Sequence, residues 1–270
     1  MTSAPSPTAT SAPTRSGRPR VALFVTCLVD AMRPTVGFAT VKLLEDAGCT
    51  VVVPEGQTCC GQPAHNSGDR RDAAELAKRV IAAFEGFDYT VAPSGSCASQ
   101  IVKHYPTLFA EGDPWKASAE RLAARTHEIT AFLVDVMGVT ATGAKFDGTA
   151  TYHDSCSGLR DLGIAVQPRK LLGAVEGLTL VEMKDADVCC GFGGTFAVKY
   201  PDLSGAIVAK KTENVTASGA PMLLAGDLGC LMNMAGKLGR EGSPIEVRHV
   251  TEVLAGMADG PAIGATKKGA

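Results

Sequence analysis

Two short stretches of the chain, QTCCGQP at residues 57–63 and DVCCGFGG at residues 187–194, share an adjacent pair of cysteines followed by glycine. Working outward, each pair lies between two single cysteines, and these are Cys27, Cys97, Cys156 and Cys230. Corresponding cysteines of the two sets are separated by 129, 130 and 133 residues. Two sets of four at one spacing indicate an internal duplication with a period of about 130 residues.

The residues before the single cysteines repeat as well. VALFVTCLVD at residues 21–30 corresponds to TATYHDSCSG at 149–158, and in both a run rich in β-branched residues leads into the cysteine. YTVAPSGSC at residues 89–97 corresponds to PMLLAGDLGC at 221–230, where an apolar run ends in a small, glycine-containing turn. Such runs predict strands that end just before a cysteine.

Strands alternate with helices along both halves. The predicted strands are residues 21–26, 50–53, 89–92, 149–153, 178–182 and 222–225. The predicted helices are one that begins at Pro34, residues 70–84, a segment from Ala98, residues 169–175 and residues 203–215. This order predicts an α/β fold of two duplicated Rossmann-like βαβ domains with mainly parallel sheets, each carrying one Cys-Cys-Gly motif.

The expected domain organisation follows from the repeat and from local composition. Residues 1–20 contain no Leu, Ile, Val or Phe and are expected to be a disordered tail. Residues 21–147 are expected to form the first cysteine-rich domain, residues 148–256 the second, and residues 257–270 a flexible C-terminal tail.

Composition narrows the class of protein. The chain has 270 residues, of which 45% are hydrophobic and 20% charged, as in ordinary soluble globular proteins. A net charge of −2 gives no electrostatic reason to bind nucleic acid or anionic lipid. No apolar run suits a signal peptide or a membrane span, so a cytoplasmic location is expected.

Nine cysteines in a reducing compartment favour metal binding or redox chemistry over disulfides. Ligand sites of parallel α/β sheets lie beyond the carboxyl ends of strands, so each half is expected to gather one set of four near the junction of the halves. The eight expected ligands are Cys27, Cys59, Cys60, Cys97, Cys156, Cys189, Cys190 and Cys230. Cys49 has no counterpart in the repeat and is expected to be a small buried apolar residue.

Three kinds of site are compatible with these thiolates: zinc, an iron–sulfur cluster, or a redox-active dithiol. Zinc sites usually combine two short Cys-x₂₋₄-Cys units, and neither half has one. An adjacent pair points its side chains apart, which suits a cluster whose different irons each take one thiolate. Iron–sulfur is therefore favoured, with the other two as alternatives. Gly61 and Gly191 are expected to remove Cβ bulk where the backbone approaches a cluster.

Five segments resemble a known family. They are CCGQPAHNSG (59–68), VAPSGSCASQIVKHYP (91–106), TYHDSCSGLRDLGI (151–164), CCGFGGTFAVKYP (189–201) and GDLGCLMNMAGKL (226–238). From about residue 21 to about 254, the chain resembles the lactate-utilization protein A family, the cysteine-rich iron–sulfur subunits of a three-part, non-flavin L-lactate oxidation system. More widely it resembles the cysteine-rich CCG group, which includes the CCG-containing subunit of heterodisulfide reductase and the iron–sulfur subunits of glycolate oxidase and anaerobic glycerol-3-phosphate dehydrogenase.

The resemblance implies an iron–sulfur electron-transfer subunit of a complex that oxidises L-lactate to pyruvate, rather than an enzyme acting alone. It implies two partner subunits, a ferredoxin-type iron–sulfur subunit and a third small subunit, with any membrane association peripheral and through these partners. L-lactate itself is a candidate ligand. The alternatives are a heterodisulfide-reductase-like thiol–disulfide oxidoreductase subunit, an iron–sulfur subunit of glycolate oxidase, and a structural zinc protein or assembly factor. No GxGxxG motif follows a strand, so neither NAD nor flavin is expected.

The chain departs from the heterodisulfide reductase pattern at two positions. There, each repeat ends in Cys-x-x-Cys, and five cysteines hold a non-cubane cluster. Here the first of those cysteines is Ser94 in one half and Asp227 in the other. The four thiolates left in each half suffice for an ordinary [4Fe–4S] cluster, so two such clusters are expected. Ser94 and Asp227 are candidate oxygen ligands, and the alternative is that each caps the helix that follows.

Other polar residues near the second set are candidates for substrate chemistry. His153 and Asp154 precede Cys156 and are candidates for binding a substrate carboxylate or for proton transfer. The alternative for His153 is a hydrogen bond within its turn. Arg160 and Lys199 are candidates for pairing with a carboxylate, and otherwise are solvated surface residues.

Near the first set, His65 and Asn66 follow the cysteine pair and are candidates for donating hydrogen bonds to cluster sulfurs. The alternative is that both belong to a simple turn. His104 and Tyr105 are expected to end a helix.

Overall fold

The computed structural model describes residues 17–265, and in them the α/β fold is confirmed as two similar halves. The first half contains strands β1 (Arg20–Leu23), β2 (Thr50–Val52), β3 (Tyr89–Ala92) and β4 (Thr126–Glu128). The second half contains strands β5 (Lys145–His153), β6 (Glu176–Leu180), β7 (Met222–Ala225) and β8 (Glu246–His249). Each half forms one four-stranded, all-parallel sheet, in the orders β2-β1-β3-β4 and β6-β5-β7-β8. The two orders are equivalent, as a duplication requires.

Helices connect the strands throughout. In the first half they are α1 (Cys27–Met32), α2 (Pro34–Asp46), α3 (Gln62–Asn66), α4 (Arg70–Ala83), α5 (Gly95–Ser99), α6 (Tyr105–Leu108), α7 (Pro114–Ala124) and α8 (Ile129–Ala131). In the second half they are α9 (Cys156–Leu162), α10 (Val166–Leu172), α11 (Phe196–Lys199), α12 (Pro201–Ala217), α13 (Leu228–Arg240) and α14 (Val250–Leu254). Two π-helical segments, Gln100–His104 and Phe132–Val136, continue α5 and α8. Among the helices of residues 17–265, none combines the length and apolar character that a membrane span requires.

The central strands of each sheet position the cysteine-bearing segments. Every residue of β7 is buried, and so are three of the four in β1, because helices cover both faces of the sheets. β1 pairs with β3 in parallel, and β5 pairs with β7 in the same way. Parallel neighbours end at the same edge, so the helices that follow them, α1 and α5 in one half and α9 and α13 in the other, begin side by side.

The two halves meet closely at helices α5 and α9. A Cβ atom added to Gly95 would lie 2.9 Å from Cα of Gly158 and 2.7 Å from Oγ of Ser155. The hydroxyl of Ser99 donates a hydrogen bond to Asp161 across this contact at 2.6 Å. Only glycine at position 95 allows the backbones to approach this far.

The largest hydrophobic core is shared by both halves. Its buried members from the first half are Val21, Ala39, Leu43, Leu44, Cys49, Val91, Ile129, Phe132, Leu133 and Ala144. Those from the second half are Ala150, Tyr152, Leu171, Leu172, Val175, Met222, Leu224, Val250, Val253, Leu254 and Ala255. Cys49 is among them and is 1% exposed, as expected of a cysteine that serves as a small apolar residue.

Several strand and helix limits differ from the predicted ones. β3 and β7 have the predicted bounds, but the helix after β3 begins at Gly95 rather than Ala98, because Ser94 caps it. The sequence predicts neither β4 nor β8, since THE and EVRH are short and carry charged residues. Partner strands, rather than their own composition, make these segments extended.

Residues 1–16 of the expected N-terminal tail and residues 266–270 of the expected C-terminal tail lie outside the described residues. In the described part of the C-terminal segment, the Ile263 N–H donates to the Val247 carbonyl at 2.8 Å. Arg248 donates to the Gly260 carbonyl at 2.7 Å. Residues 257–263 therefore follow the second sheet, while the domain limits remain predictions.

Candidate metal centres

The first set of cysteines converges at the carboxyl edge of the first sheet. Cys27 is the first residue of α1, and Cys97 lies in the first turn of α5. Cys59 and Cys60 lie in the loop between β2 and α3. The Sγ atoms of Cys27 and Cys59 are 3.8 Å apart, and those of Cys60 and Cys97 are 3.5 Å apart. Four residues spread over 70 positions of sequence thus meet at one point, as the parallel sheet predicts.

The second set has the same arrangement. Cys156 is the first residue of α9, and Cys230 lies in the first turn of α13. Cys189 and Cys190 lie in the loop between β6 and α11. Side-chain hydrogen bonds join Cys156 to Cys189 and Cys190 to Cys230. The duplication therefore extends from the sheet order to the contacts between sulfurs.

Capped helix ends surround both sets. Oγ1 of Thr26 accepts a hydrogen bond from the Val29 N–H at the start of α1, at 3.3 Å. Ser155 caps α9 in the same manner, accepting from the Gly158 N–H at 3.3 Å. The free N–H groups at a helix start favour negative charge, so they would stabilise a metal-bound thiolate at Cys27 or Cys156.

In each half, one thiol accepts hydrogen bonds from two others. Cys59 accepts from Cys27 and Cys60, which lowers its pKa to about 2. Cys189 accepts in the same way, first from Cys156, and its pKa is also lowered to about 2. The same bonds raise the pKa of the donors Cys27 and Cys156, and burial adds to this. A metal that binds all four sulfurs must displace protons from the donors, so binding strengthens as pH rises.

The glycines after the cysteine pairs have a different role from the expected one. Gly61 and Gly191 both adopt a positive φ, of 83° and 81°, which favours glycine. A Cβ atom on Gly191 would lie 2.8 Å from the Ser204 carbonyl oxygen in α12. It would therefore point toward this helix and not toward the cysteine sulfurs. These glycines allow the turn to pack on the neighbouring helix.

Ser94 and Asp227, the candidate oxygen ligands, are hydrogen-bonded to each other at 3.1 Å. Ser94 accepts from the Cys97 N–H at 3.3 Å and so caps its own helix α5. Asp227 makes no side-chain cap on its own helix α13. Its carboxylate instead accepts from the Ser96 N–H at 3.0 Å, and so caps α5 in the other half. A residue of the second half thereby orders the helix that carries Cys97.

Asp154 is paired with Arg169, a residue that sequence reasoning missed. The guanidinium donates two hydrogen bonds to the carboxylate, at 2.8 and 2.9 Å, and also binds Glu182 at 2.6 Å. These bonds raise the pKa of Arg169, the bond to Asp154 most strongly. Asp154 is therefore committed to a bidentate ion pair that holds the end of β5 against α10.

Lys211 is a second missed residue and is fully buried in α12. Its ammonium donates to the carbonyls of Asp185 and Ala186, at 2.6 and 2.9 Å, in the loop that leads to Cys189. Burial lowers the pKa of this lysine. The sequence did carry a signal for this role, because Lys211 lies three residues after Val208 and four before Val215, on the apolar face of the helix.

Each cysteine pair is also held through a backbone carbonyl. The hydroxyl of Tyr105 donates to the Cys60 carbonyl at 2.9 Å. The side-chain amide of Asn233 donates to the Cys190 carbonyl at the same distance. Tyr105 is the first residue of α6 rather than the end of a helix, and it fixes the first pair.

The remaining candidates lie at the edges of the sites. His65 stacks on His104, with ring centroids 4.5 Å apart. Lys199 donates to the Ser67 hydroxyl of the other half at 3.1 Å, while Arg160 is exposed. Neither of these contacts is with a cysteine sulfur, while Asn66 and Lys199 both line a cavity beside Cys189.

Two cavities open onto the cysteines. One of about 190 Å³ has the four cysteines of the first set in its wall, and residues of the second half also line it. The second-half residues are Phe192, Gly194, Thr195, Val198, Asp227, Leu228 and Gly229. A second cavity, of about 540 Å³, is lined by Asn66, Ser67, Cys189, Gly191, Gly193, Thr195, Phe196, Lys199, Tyr200 and Ile207. The loop after Cys190 thus lies between the two sets.

Comparison with known families matches both halves to one model, described as CCG, cysteine-rich domain, over residues 21–102 and 150–235. The chain belongs to the CCG cysteine-rich domain family. Each of the two matched ranges contains one complete set of four cysteines. The CCG motif that names the family is the Cys-Cys-Gly turn at the centre of each site.

Curated relatives match nearly end to end. Lactate utilization protein A of Exiguobacterium sp. is 52% identical over 238 residues, which cover 87% of this chain and 97% of the relative. Lactate utilization protein A of Bacillus subtilis (strain 168) is 48% identical over 235 residues, covering 87% of this chain and 98% of the relative.

A solved structure supports the fold alone. The crystal structure of a hypothetical protein from Helicobacter pylori superposes with a TM-score of 0.62 at 11% identity. The match covers 89% of this chain and 49% of the other, so the CCG pair corresponds to about half of that longer chain.

Proposed function

We propose that this protein is an iron–sulfur electron-transfer subunit of a complex that oxidises L-lactate to pyruvate. The observation that carries the proposal is the convergence of two complete four-cysteine sets, each at a capped helix start, in a CCG chain. The proposed substrate follows from similarity to lactate utilization protein A over 87% of the chain.

The residues fit the proposed cofactor. Four soft thiolate donors per half match the ligand requirement of a [4Fe–4S] cluster, and the buried His153 has no hydrogen bond on either ring nitrogen. The first cluster would be held by Cys27, Cys59, Cys60 and Cys97, and the second by Cys156, Cys189, Cys190 and Cys230. Bound clusters of this kind take up and release single electrons.

The chain supplies two sites, and the loop after Cys190 contacts both of them. Oxidation of lactate to pyruvate releases two electrons and two protons, and two sites in one chain provide a place for each electron. Phe192, two residues after Cys190, lines the cavity of the first site. This contact supports electron exchange between the halves.

Exposure of the sulfurs supports transfer to partners. Cys27 is exposed, and Cys59, Cys156 and Cys189 are half-buried. A partner that binds over these residues can approach both sites, in keeping with a ferredoxin-type subunit and a third small subunit. For L-lactate itself, the cavity beside Cys189 is the candidate site in this chain, since Lys199 lines it with an ammonium that can pair with a carboxylate.

Anaerobic purification with iron, sulfide and zinc analysis tests the cofactor. We expect about eight irons and eight sulfides per chain, and an electron paramagnetic resonance (EPR) signal after reduction, because two four-iron clusters require them. Two zinc ions per chain without sulfide would contradict the proposal and favour a structural role.

Reconstitution with the two partner subunits tests the substrate. We expect L-lactate, and not glycolate, to reduce the centres of this subunit, with pyruvate formed. A strain that lacks the gene and any other lactate dehydrogenase should fail to grow on lactate. Turnover of disulfides by the isolated protein would instead favour a heterodisulfide-reductase-like activity.

A further inference from the structure

His153 is the last residue of β5 and is completely buried. Neither of its ring nitrogens has a hydrogen-bond partner in the described structure. A buried imidazole without partners loses the hydrogen bonds that it makes to water in the unfolded chain, so its retention requires an explanation.

The ring lies against the second set of cysteines. One of its nitrogens, Sγ of Cys190 and Sγ of Cys230 all lie within 4.8 Å of one another. All three residues are buried, so water does not compete for the nitrogen. Three potential ligand atoms at this separation are close enough to bind one metal ion.

The first half offers no such nitrogen. Phe24 occupies the corresponding position, 129 residues earlier, the same separation as between Cys27 and Cys156. Its ring packs on Phe84, with centroids 5.4 Å apart. The duplication has thus kept the cysteines and changed one residue beside them.

We propose that His153 is a nitrogen ligand of the second metal centre and takes the place of one of the four thiolates there, beside Cys190 and Cys230, so that the two halves hold centres with unlike ligands. This rests on the proposed iron–sulfur function. A neutral imidazole places less negative charge on a cluster than a thiolate does, which raises the reduction potential, as in clusters where histidines replace cysteines. Electrons in the chain therefore favour the second centre over the first.

Pulsed EPR on anaerobically purified, reduced full-length protein tests the ligand directly. We expect a strong coupling to one nitrogen, from one centre only, that changes when histidine is labelled with ¹⁵N. The coupling should disappear in His153→Phe, which installs the residue of the first half. It should persist in His127→Gln, since His127 packs on Tyr89 and Phe132 away from the cysteines.

A redox titration adds a second measure. The wild type should show two separate midpoint potentials, and His153→Phe should lower the higher one while leaving the lower one in place. Because the labelling experiment uses wild-type protein, a variant that does not fold leaves the test intact. Two intact clusters without histidine coupling would overturn the inference and leave the proposed function standing, whereas wild-type protein without iron and sulfide would overturn the proposed function itself.

Discussion

At the scale of single residues, Cys60 is a proposed ligand and Cys49 is part of the core, although both are buried. Cys60→Ser should remove or convert one centre, with the loss of up to roughly half of the iron, because it contributes one of four thiolates. The other centre should keep its EPR signal. Cys49→Ser should change neither centre, since Cys49 lies in the shared core. Loss of both centres from Cys60→Ser would show that the sites are not independent.

Glu128 gives a pH-dependent prediction at the same scale. It is buried at the end of β4, where burial raises the pKa of its carboxyl from the ordinary 4.5 to about 7. The unfolded chain therefore loses this proton at lower pH than the folded chain, and the folded state loses stability as pH rises through that window. We expect a contribution of up to about 3 kcal/mol to be lost between pH 5 and pH 8.

Glu128→Gln removes this titration while keeping a side chain that can accept from the Thr130 N–H, as Glu128 does at 2.8 Å. The difference in unfolding free energy between wild type and variant should then change with pH, in favour of the variant at pH 8. Anaerobic urea unfolding at four pH values between 5 and 8 measures it. A constant difference across that range would contradict the assigned pKa.

The sequence revealed the cysteines but not the residues that hold them. Cysteine is rare, and its spacing survives duplication, so the eight thiols could be located from the repeat alone. The roles of Tyr105 and Asn233 could not be predicted from the repeat. Each donates to the carbonyl of the second cysteine of its pair, but the two residues occupy positions that do not correspond in the two halves. The repeat therefore keeps cysteines at matching positions but does not keep the residues that bond to their backbone.

At the scale of elements, the turn after each cysteine pair provides a matched comparison. Gly61→Ala and Gly191→Ala both place a Cβ on a left-handed residue, which costs about 1–2 kcal/mol. At Gly191 the new atom would also lie 2.8 Å from a backbone oxygen of α12, whereas at Gly61 its nearest neighbour is 3.4 Å away. Gly191→Ala should therefore cost more stability and disturb the second centre alone. Unfolding curves and iron content of both variants measure this, and equal costs would contradict it.

Strand and helix limits show where sequence patterns stop being sufficient. β3 and β7 are continuous apolar runs, and their bounds follow from composition. β4 and β8 depend on pairing with β3 and β7, so nothing local marks them as strands. Their ends matter nonetheless: Glu128 and His249 cap α8 and α14 at equivalent positions of the two halves. That symmetry becomes visible only when the sheets are compared.

At the scale of the whole molecule, buried polar contacts join the two halves in addition to the shared core. Glu252 in α14 is almost fully buried and pairs with Arg33 of the first half at 2.9 Å. It also accepts a hydrogen bond from the Thr35 hydroxyl at 2.6 Å. Together with Asp227, which caps α5 from the other half, this pair makes each CCG domain dependent on its neighbour.

We therefore predict that the two CCG domains unfold as one cooperative unit. Glu252→Gln removes the charge of a buried carboxylate, leaves the half-buried Arg33 without a counter-charge and should lower the free energy of unfolding by about 2 kcal/mol. Hydrogen exchange followed by mass spectrometry should then show faster exchange in β1 and β3 as well as in β5 and β7, because loss of the contact weakens both sheets. Glu176→Gln is the matched control: its carboxylate and the ammonium of its partner Lys145 are both exposed and lie within the second half, so it should cost less than about 1 kcal/mol. Faster exchange confined to the second half would show that the halves are separate folding units, in spite of the core they share.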